Sequence, residues 1–201
     1  MQTYSHLLLT ALVPKIIPSS RRHFLHQPAL LLGAVLPDVP FFVLTAVYGL
    51  AYIWKTPSPP GEIMSYLHFN LFYRDPVWLI GHNFFHSLVI NGLLLVLGVW
   101  GLQTNKRWAR PLFWLVIGTT FHTAIDIVTH HSDGPLLFFP LNWQYRFASP
   151  VSYWEKAYHG RLFSILELIT DIVLASYFVW HTYSKNKPRP KISKLQKGSE
   201  L

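Results

Sequence analysis

Histidines and carboxylates in this chain recur at a spacing suited to holding a cation. In residues 118–134, GTTFHTAIDIVTHHSDG, His122, Asp126 and His130 follow one another at four-residue steps. Four residues of α-helix are little more than one turn, about 6 Å of rise, so the three side chains share one stripe. Residues 81–87, GHNFFHS, repeat the step with His82 and His86. Neutral imidazole and carboxylate are ligands that zinc, manganese or iron accept where no thiolate is offered, and the chain has no cysteine. A polar His–Asp network between helices, without metal, is the other reading. Imidazole or carboxylate buried without a partner is costly, so one of the two must hold.

Four of the nine acidic residues, Asp38, Asp126, Glu167 and Asp171, fall inside apolar segments. Ionisable groups there are expensive and are functional candidates. Asp38 sits in Pro37-Asp38-Val39-Pro40, a proline-bounded bend off any regular helix stripe. That makes it the candidate catalytic base, able to touch a nucleophilic water. No cysteine is available as nucleophile, and no serine stands in a recognisable nucleophile motif. Glu167 and Asp171 either close the site or pair with histidines. His130 and His131, at the end of their segment, are each a ligand or a helix C-terminal cap. His23, His26, His68, His159 and His181 have no four-step partner and read as interfacial or surface residues.

These residues need apolar helices to position them. The chain has 201 residues, which suits one domain. It is 51% hydrophobic and 13% charged, against about 25% charged residues in soluble domains, and its mean hydropathy is positive. The expected fold is all-α: a polytopic membrane bundle of about four transmembrane helices plus a short N-terminal helix carrying His6. The four expected spans are residues 29–54, 77–102, 111–129 and 161–183, all within a domain of residues 1–184. Residues 185–201 read as a basic, disordered cytoplasmic tail. Residues 130–160, rich in proline and aromatics, are too apolar for an ordinary solvated loop and are expected to cap the site or lie on the membrane surface. Trp54, Trp78, Trp100, Trp114 and Trp180 near segment ends match an interfacial belt.

The net charge of +8 is concentrated after Tyr183, where it amounts to +5. Four spans would place twelve Lys and Arg residues on one side and five on the other, so both termini are expected in the cytoplasm. His82, His86, His122 and Asp126 would then meet in the outer half of the membrane. No basic stripe alternates with aromatics in the body of the chain, so nucleic acid is not an expected partner; membrane lipids are.

In their order, His6, GAVLPDVP around Asp38, HNFFHS with His82 and His86, HTAID with His122 and Asp126, and DGPLLFFPL carry a resemblance. The chain resembles the membrane-bound metal-dependent hydrolase family, also described as YdjM-like inner-membrane hydrolases, over about residues 6–141. It is similar at a distance to zinc-dependent phospholipase C. The resemblance implies a divalent metal site made of His6, Asp38, His82, His86, His122 and Asp126. The metal implied is zinc, with manganese or iron as alternatives, and the location a plasma membrane of the bacterial inner type. Asn83 departs from the family, standing where many members have arginine, and the later HxxxE pair of the soluble phospholipases is missing. The expected function is metal-dependent hydrolysis of a phosphoester in a lipid or lipid-like substrate. The competing expectations are a membrane di-iron oxygenase, a haem b protein and an ion or proton relay.

Overall fold

A computed structural model describes residues 1–55 and 58–186. Most of the expected tail lies outside them; Lys185 and Asn186 continue the last helix. Ten α-helices carry the described residues: α1 Thr3–Thr10, α2 Val13–Ile16, α3 Gln27–Gly33, α4 Val39–Lys55, α5 Pro60–Tyr66, α6 Phe72–Arg74, α7 Pro76–His86, α8 Leu88–Gln103, α9 Ala109–Thr129 and α10 Gly160–Asn186. No β-strand occurs among the described residues; Leu136 and Arg146 form an isolated antiparallel bridge.

Two segments expected to be continuous are broken. Residues 29–54 divide into α3 and α4 at a turn that contains Pro37 and Asp38. Residues 77–102 divide at Ser87, whose backbone is extended, and α7 and α8 meet at a bend of 46°. Ser87 caps the new helix by accepting a hydrogen bond from the Ile90 N–H at 3.1 Å. Its hydroxyl also donates to the Phe139 carbonyl, which ties the bend to the loop after α9. Upstream, Asp75 caps α7 by accepting from the Val77 and Trp78 N–H groups, and Pro76 fills the first helical position.

Two helices, α9 and α10, are long and apolar enough to cross a membrane, or three if the bent α7–α8 pair counts as one span; α4 is a shorter apolar helix of 17 residues. The count is therefore two or three by this measure, where four were expected.

The packing centres on α9. Against it lies α3, at a crossing of Gly33 and Gly118 where a Cβ on Gly118 would stand 2.9 Å from the Gly33 Cα. Only glycine admits so close an approach, and it brings the Ala34 carbonyl next to α9. On another side α8 packs, with Gly98 against Phe113 and Thr119 donating to Asn91 at 2.8 Å. Beyond the site, α4 and α7 enclose an aromatic cluster of Phe41, Tyr48, Phe72 and Trp78 over Ile63 and Leu67.

The N-terminal helix takes a course that differs from expectation. Met1 lies beside Thr129, where α9 ends, and α1 and α2 then run parallel to α10. Gln2 meets Glu167, Ser5 meets Asp171, and Lys15 shares a groove with Lys185. Met1 and Lys185 thus lie at opposite ends of the bundle. Residues 1–16 run along α10 before residues 27–33 run back along α9.

Candidate metal centre

Four ligand atoms converge where α7, α9 and the α3–α4 turn meet: one each from Asp38, His86, His122 and Asp126, all within 4.8 Å of one another. His86 Nε2 is 3.2 Å from His122 Nε2 and 3.3 Å from Asp126 Oδ2. His122 Nε2 is 3.0 Å from Asp126 Oδ2. Asp38 Oδ1 completes the group at 3.5 Å from His122 and 3.8 Å from His86. Donors about 2.0–2.1 Å from a tetrahedral zinc ion stand about 3.3–3.4 Å from one another, so these separations suit one small divalent cation.

The backbone sets the tautomers. His86 Nδ1–H donates to the His82 carbonyl at 2.6 Å, and His122 Nδ1–H donates to the Ala34 carbonyl at 2.8 Å. Each bond leaves the Nε2 lone pair of a neutral imidazole aimed at the cluster. Two such lone pairs beside two carboxylates repel one another unless a cation, a metal ion or protons, lies between them. The donor set, one pair of imidazoles and one pair of carboxylates, fits zinc, manganese or iron.

The residues implied by the resemblance reach this place in different ways. His122 and Asp126, one helical step apart, aim at the same point. His6 is fully buried, stacked on the His122 ring at 3.7 Å between centroids, with Nε2 2.9 Å from Asp126 Oδ1. It therefore addresses the carboxylate oxygen that faces away from the four-atom group, which it shares with the Met1 amine at 3.1 Å. Asp38 accepts from the Thr3 hydroxyl through Oδ2 and is the most open of the four, its side chain 18% exposed against 6% for Asp126.

His82 stands outside the four-atom group. Its ring packs on His86 and Phe72, and both its nitrogens are buried without a partner. The four-residue step puts both histidines on one face of α7; His86, on the last turn, reaches the other ligand atoms, while His82, one turn earlier, packs beside Phe41 and Phe72. His130 terminates α9 as its C-cap, with Nδ1 3.0 Å from the Asp126 carbonyl. His131 lies elsewhere, on the Ser149 carbonyl and the Tyr158 ring.

A cavity of about 160 Å³ opens above the cluster, lined in part by Asp38, Asp126, His82, Phe41, Asp133 and Tyr153. Burial pushes the Tyr153 phenol well above its ordinary value. Asp133, which the residue pattern alone did not single out, is buried; its Oδ2 accepts from Trp154 Nε1 at 2.8 Å and its Oδ1 has no partner. An acid placed four residues past the helix end, in a stretch otherwise apolar, was the available signal.

Glu167 and Asp171 neither enter the cluster nor pair with histidines. Glu167 accepts from the Gln2 N–H at 2.7 Å, and Asp171 accepts from the Ser5 hydroxyl at 2.8 Å. Together they hold α1, and with it His6, against α10. Partners one layer behind a metal ligand typically contribute about 10- to 100-fold in affinity. Glu167→Ala and Asp171→Ala are each expected to weaken metal binding about tenfold, read by titrating a chelator against the purified chain. Unchanged affinity in both would make the two acids incidental to the site.

No curated protein and no solved structure matches the chain. A family model does match residues 1–188. With that match covering most of its length, and with an apolar helical bundle behind it, the chain belongs to the YdjM inner membrane protein family.

Proposed function

We propose that the protein is a metal-dependent hydrolase of the membrane, acting on a phosphoester in a lipid or lipid-like substrate. The convergence of Asp38, His86, His122 and Asp126 on one point beneath an aromatic-lined cavity carries this reading. A divalent ion held there would supply Lewis acidity towards a phosphoryl oxygen and make water a nucleophile near neutral pH. Asp126, His86 and His122 would hold the ion. Asp38, the most open of the four, would take the proton from the attacking water through Oδ1 while Thr3 fixes its other oxygen. Phe41, Phe42 and Phe72 would receive apolar parts of the substrate and keep bulk water away. A haem between His86 and His122 is disfavoured, since the Asp38 and Asp126 carboxylates stand 3.0–3.8 Å from both nitrogens, where a macrocycle would have to lie.

The test is hydrolysis of phosphodiesters and phospholipids by purified, metal-loaded protein, with loss of activity on chelation. Inertness towards phosphoesters, esters and amides, together with a haem or di-iron absorption spectrum, would remove the hydrolase reading.

Orientation follows from charge. Lys15, Arg21, Arg22, Lys106, Arg107, Arg110 and Lys185 gather at the end of the bundle away from the cluster, and we assign that end to the cytoplasm. In this cysteine-free chain a cysteine at exposed Gln144 should then react with an impermeant maleimide from outside the cell. Reaction only after lysis would reverse the orientation.

A further inference from the structure

The end of the bundle away from the metal cluster carries a second concave site. A groove of about 460 Å³ opens between α2, the 3-10 turn Ser19–Phe24 and the last turns of α10. Lys15, Arg22, His181 and Lys185 line it, with Leu25 and Phe178 as apolar wall. Phe178, His181 and Lys185 follow the spacing of one helical stripe, so α10 turns one face to the groove.

Among the described residues no acidic residue lines the groove, and Lys15, Arg22 and Lys185 enter no ion pair. Described carboxylates lie at the metal cluster, higher on α10, or in the segments at the opposite end. Arg22 commits only Nε, to the Ile17 carbonyl at 3.2 Å, which leaves its terminal nitrogens free to bind. His181 Nε2 is buried with no hydrogen-bond partner. Three cations held around a concavity repel one another, and an anion relieves that repulsion.

Depth narrows the choice of anion. Trp180 and Tyr183 are exposed on the same turns of α10, as are Ile16 and Phe24 beside the groove. Exposed aromatics at the end of an apolar helix mark the level of lipid headgroups. Basic pockets between membrane helices at that level take phosphate-bearing headgroups, and the Leu25–Phe178 wall offers a path for an acyl chain.

We propose that this groove binds the headgroup of an anionic phospholipid, its phosphate set among Lys15, Arg22 and Lys185 and within reach of His181 Nε2. The proposal does not depend on hydrolysis at the metal centre.

Native mass spectrometry of the full-length protein in detergent, titrated with phosphatidylglycerol or phosphatidylcholine, tests it. One phosphatidylglycerol should be retained per chain, with phosphatidylcholine bound about tenfold more weakly or worse. The Lys15→Gln/Arg22→Gln double variant should bind phosphatidylglycerol about 20-fold more weakly, and Lys185→Gln alone about fivefold more weakly. The single variant, on an exposed last turn, keeps the test open if the double variant misfolds. A Lys191→Gln/Lys194→Gln/Lys197→Gln variant of the tail should bind as the wild type does. Equal binding of the two lipids, wild-type affinity in Lys185→Gln, or a loss confined to the tail variant would each overturn the proposal. Displacement of the lipid by inorganic phosphate at millimolar concentration would overturn it too, assigning the groove to a free anion.

Discussion

His122→Ala is expected to leave the protein without its metal. The imidazole is fully buried, its Nδ1 is committed to the Ala34 carbonyl, and its Nε2 lies 3.0–3.5 Å from three other ligand atoms. Removing an outer partner of a ligand costs about 10- to 100-fold in affinity, so losing a ligand should cost more than about 100-fold. His181→Ala, far from the cluster, should retain the wild-type metal content. Metal analysis of the three purified proteins decides the matter, and equal content in wild type and His122→Ala would leave only a hydrogen-bonded network. The same centre should release its ion on acidification. Protons compete for imidazole nitrogen, so affinity falls as pH falls through the histidine range and recovers on neutralisation.

Asp38→Asn should separate two functions that Asp126→Asn removes together. The Asp38 oxygen stands 3.5 and 3.8 Å from the two imidazole nitrogens, against 3.0 and 3.3 Å for Asp126, and its side chain is the most exposed of the four. Asp126 is buried and engages His6, His86, His122 and the Met1 amine. Asp126→Asn is therefore expected to empty the site. Asp38→Asn should hold metal within about tenfold of wild type while turnover falls by about 100- to 10,000-fold, the usual contribution of a positioned base. Asparagine keeps the shape and can still accept from Thr3, so a structural role alone would spare the rate. If Asp38→Asn loses metal as completely as Asp126→Asn does, Asp38 is an essential ligand and the base lies elsewhere.

The legible parts of the site are those carried by one helix or by a proline. His122 and Asp126 share α9, and the four-residue step is enough to place them together. Asp38 was visible as an acid trapped at a proline-bounded bend. The same step puts His82 on the face of His86 but one turn away from the four-atom group, on the wall of the cavity above it; the bend at Ser87, which rests on a cap and on a tie to Phe139, was not legible. Asp133 escaped because its environment is built by Trp154 and Tyr153, distant in sequence. His6 entered only through family resemblance, since a short helix with one histidine carries no pattern of its own. The membrane character followed from composition, but the path of residues 1–33 did not. That path rests on glycine contact between α3 and α9 and on two acids of α10, all of it long-range.

The way α1 is fastened has a consequence for assembly. His6 is made early, yet Glu167 and Asp171, which hold its helix, are made more than 150 residues later. Contacts between distant parts of a chain form late, after the loop between them has closed. During synthesis, His86, His122, Asp126 and Asp38 can gather before α10 exists, but the helix bearing His6 then has only its contacts to α9 and Asp38, without the two acids that fasten its other face. The centre is then completed from both ends of the chain, and a protein arrested before α10 would hold α1 on one face alone.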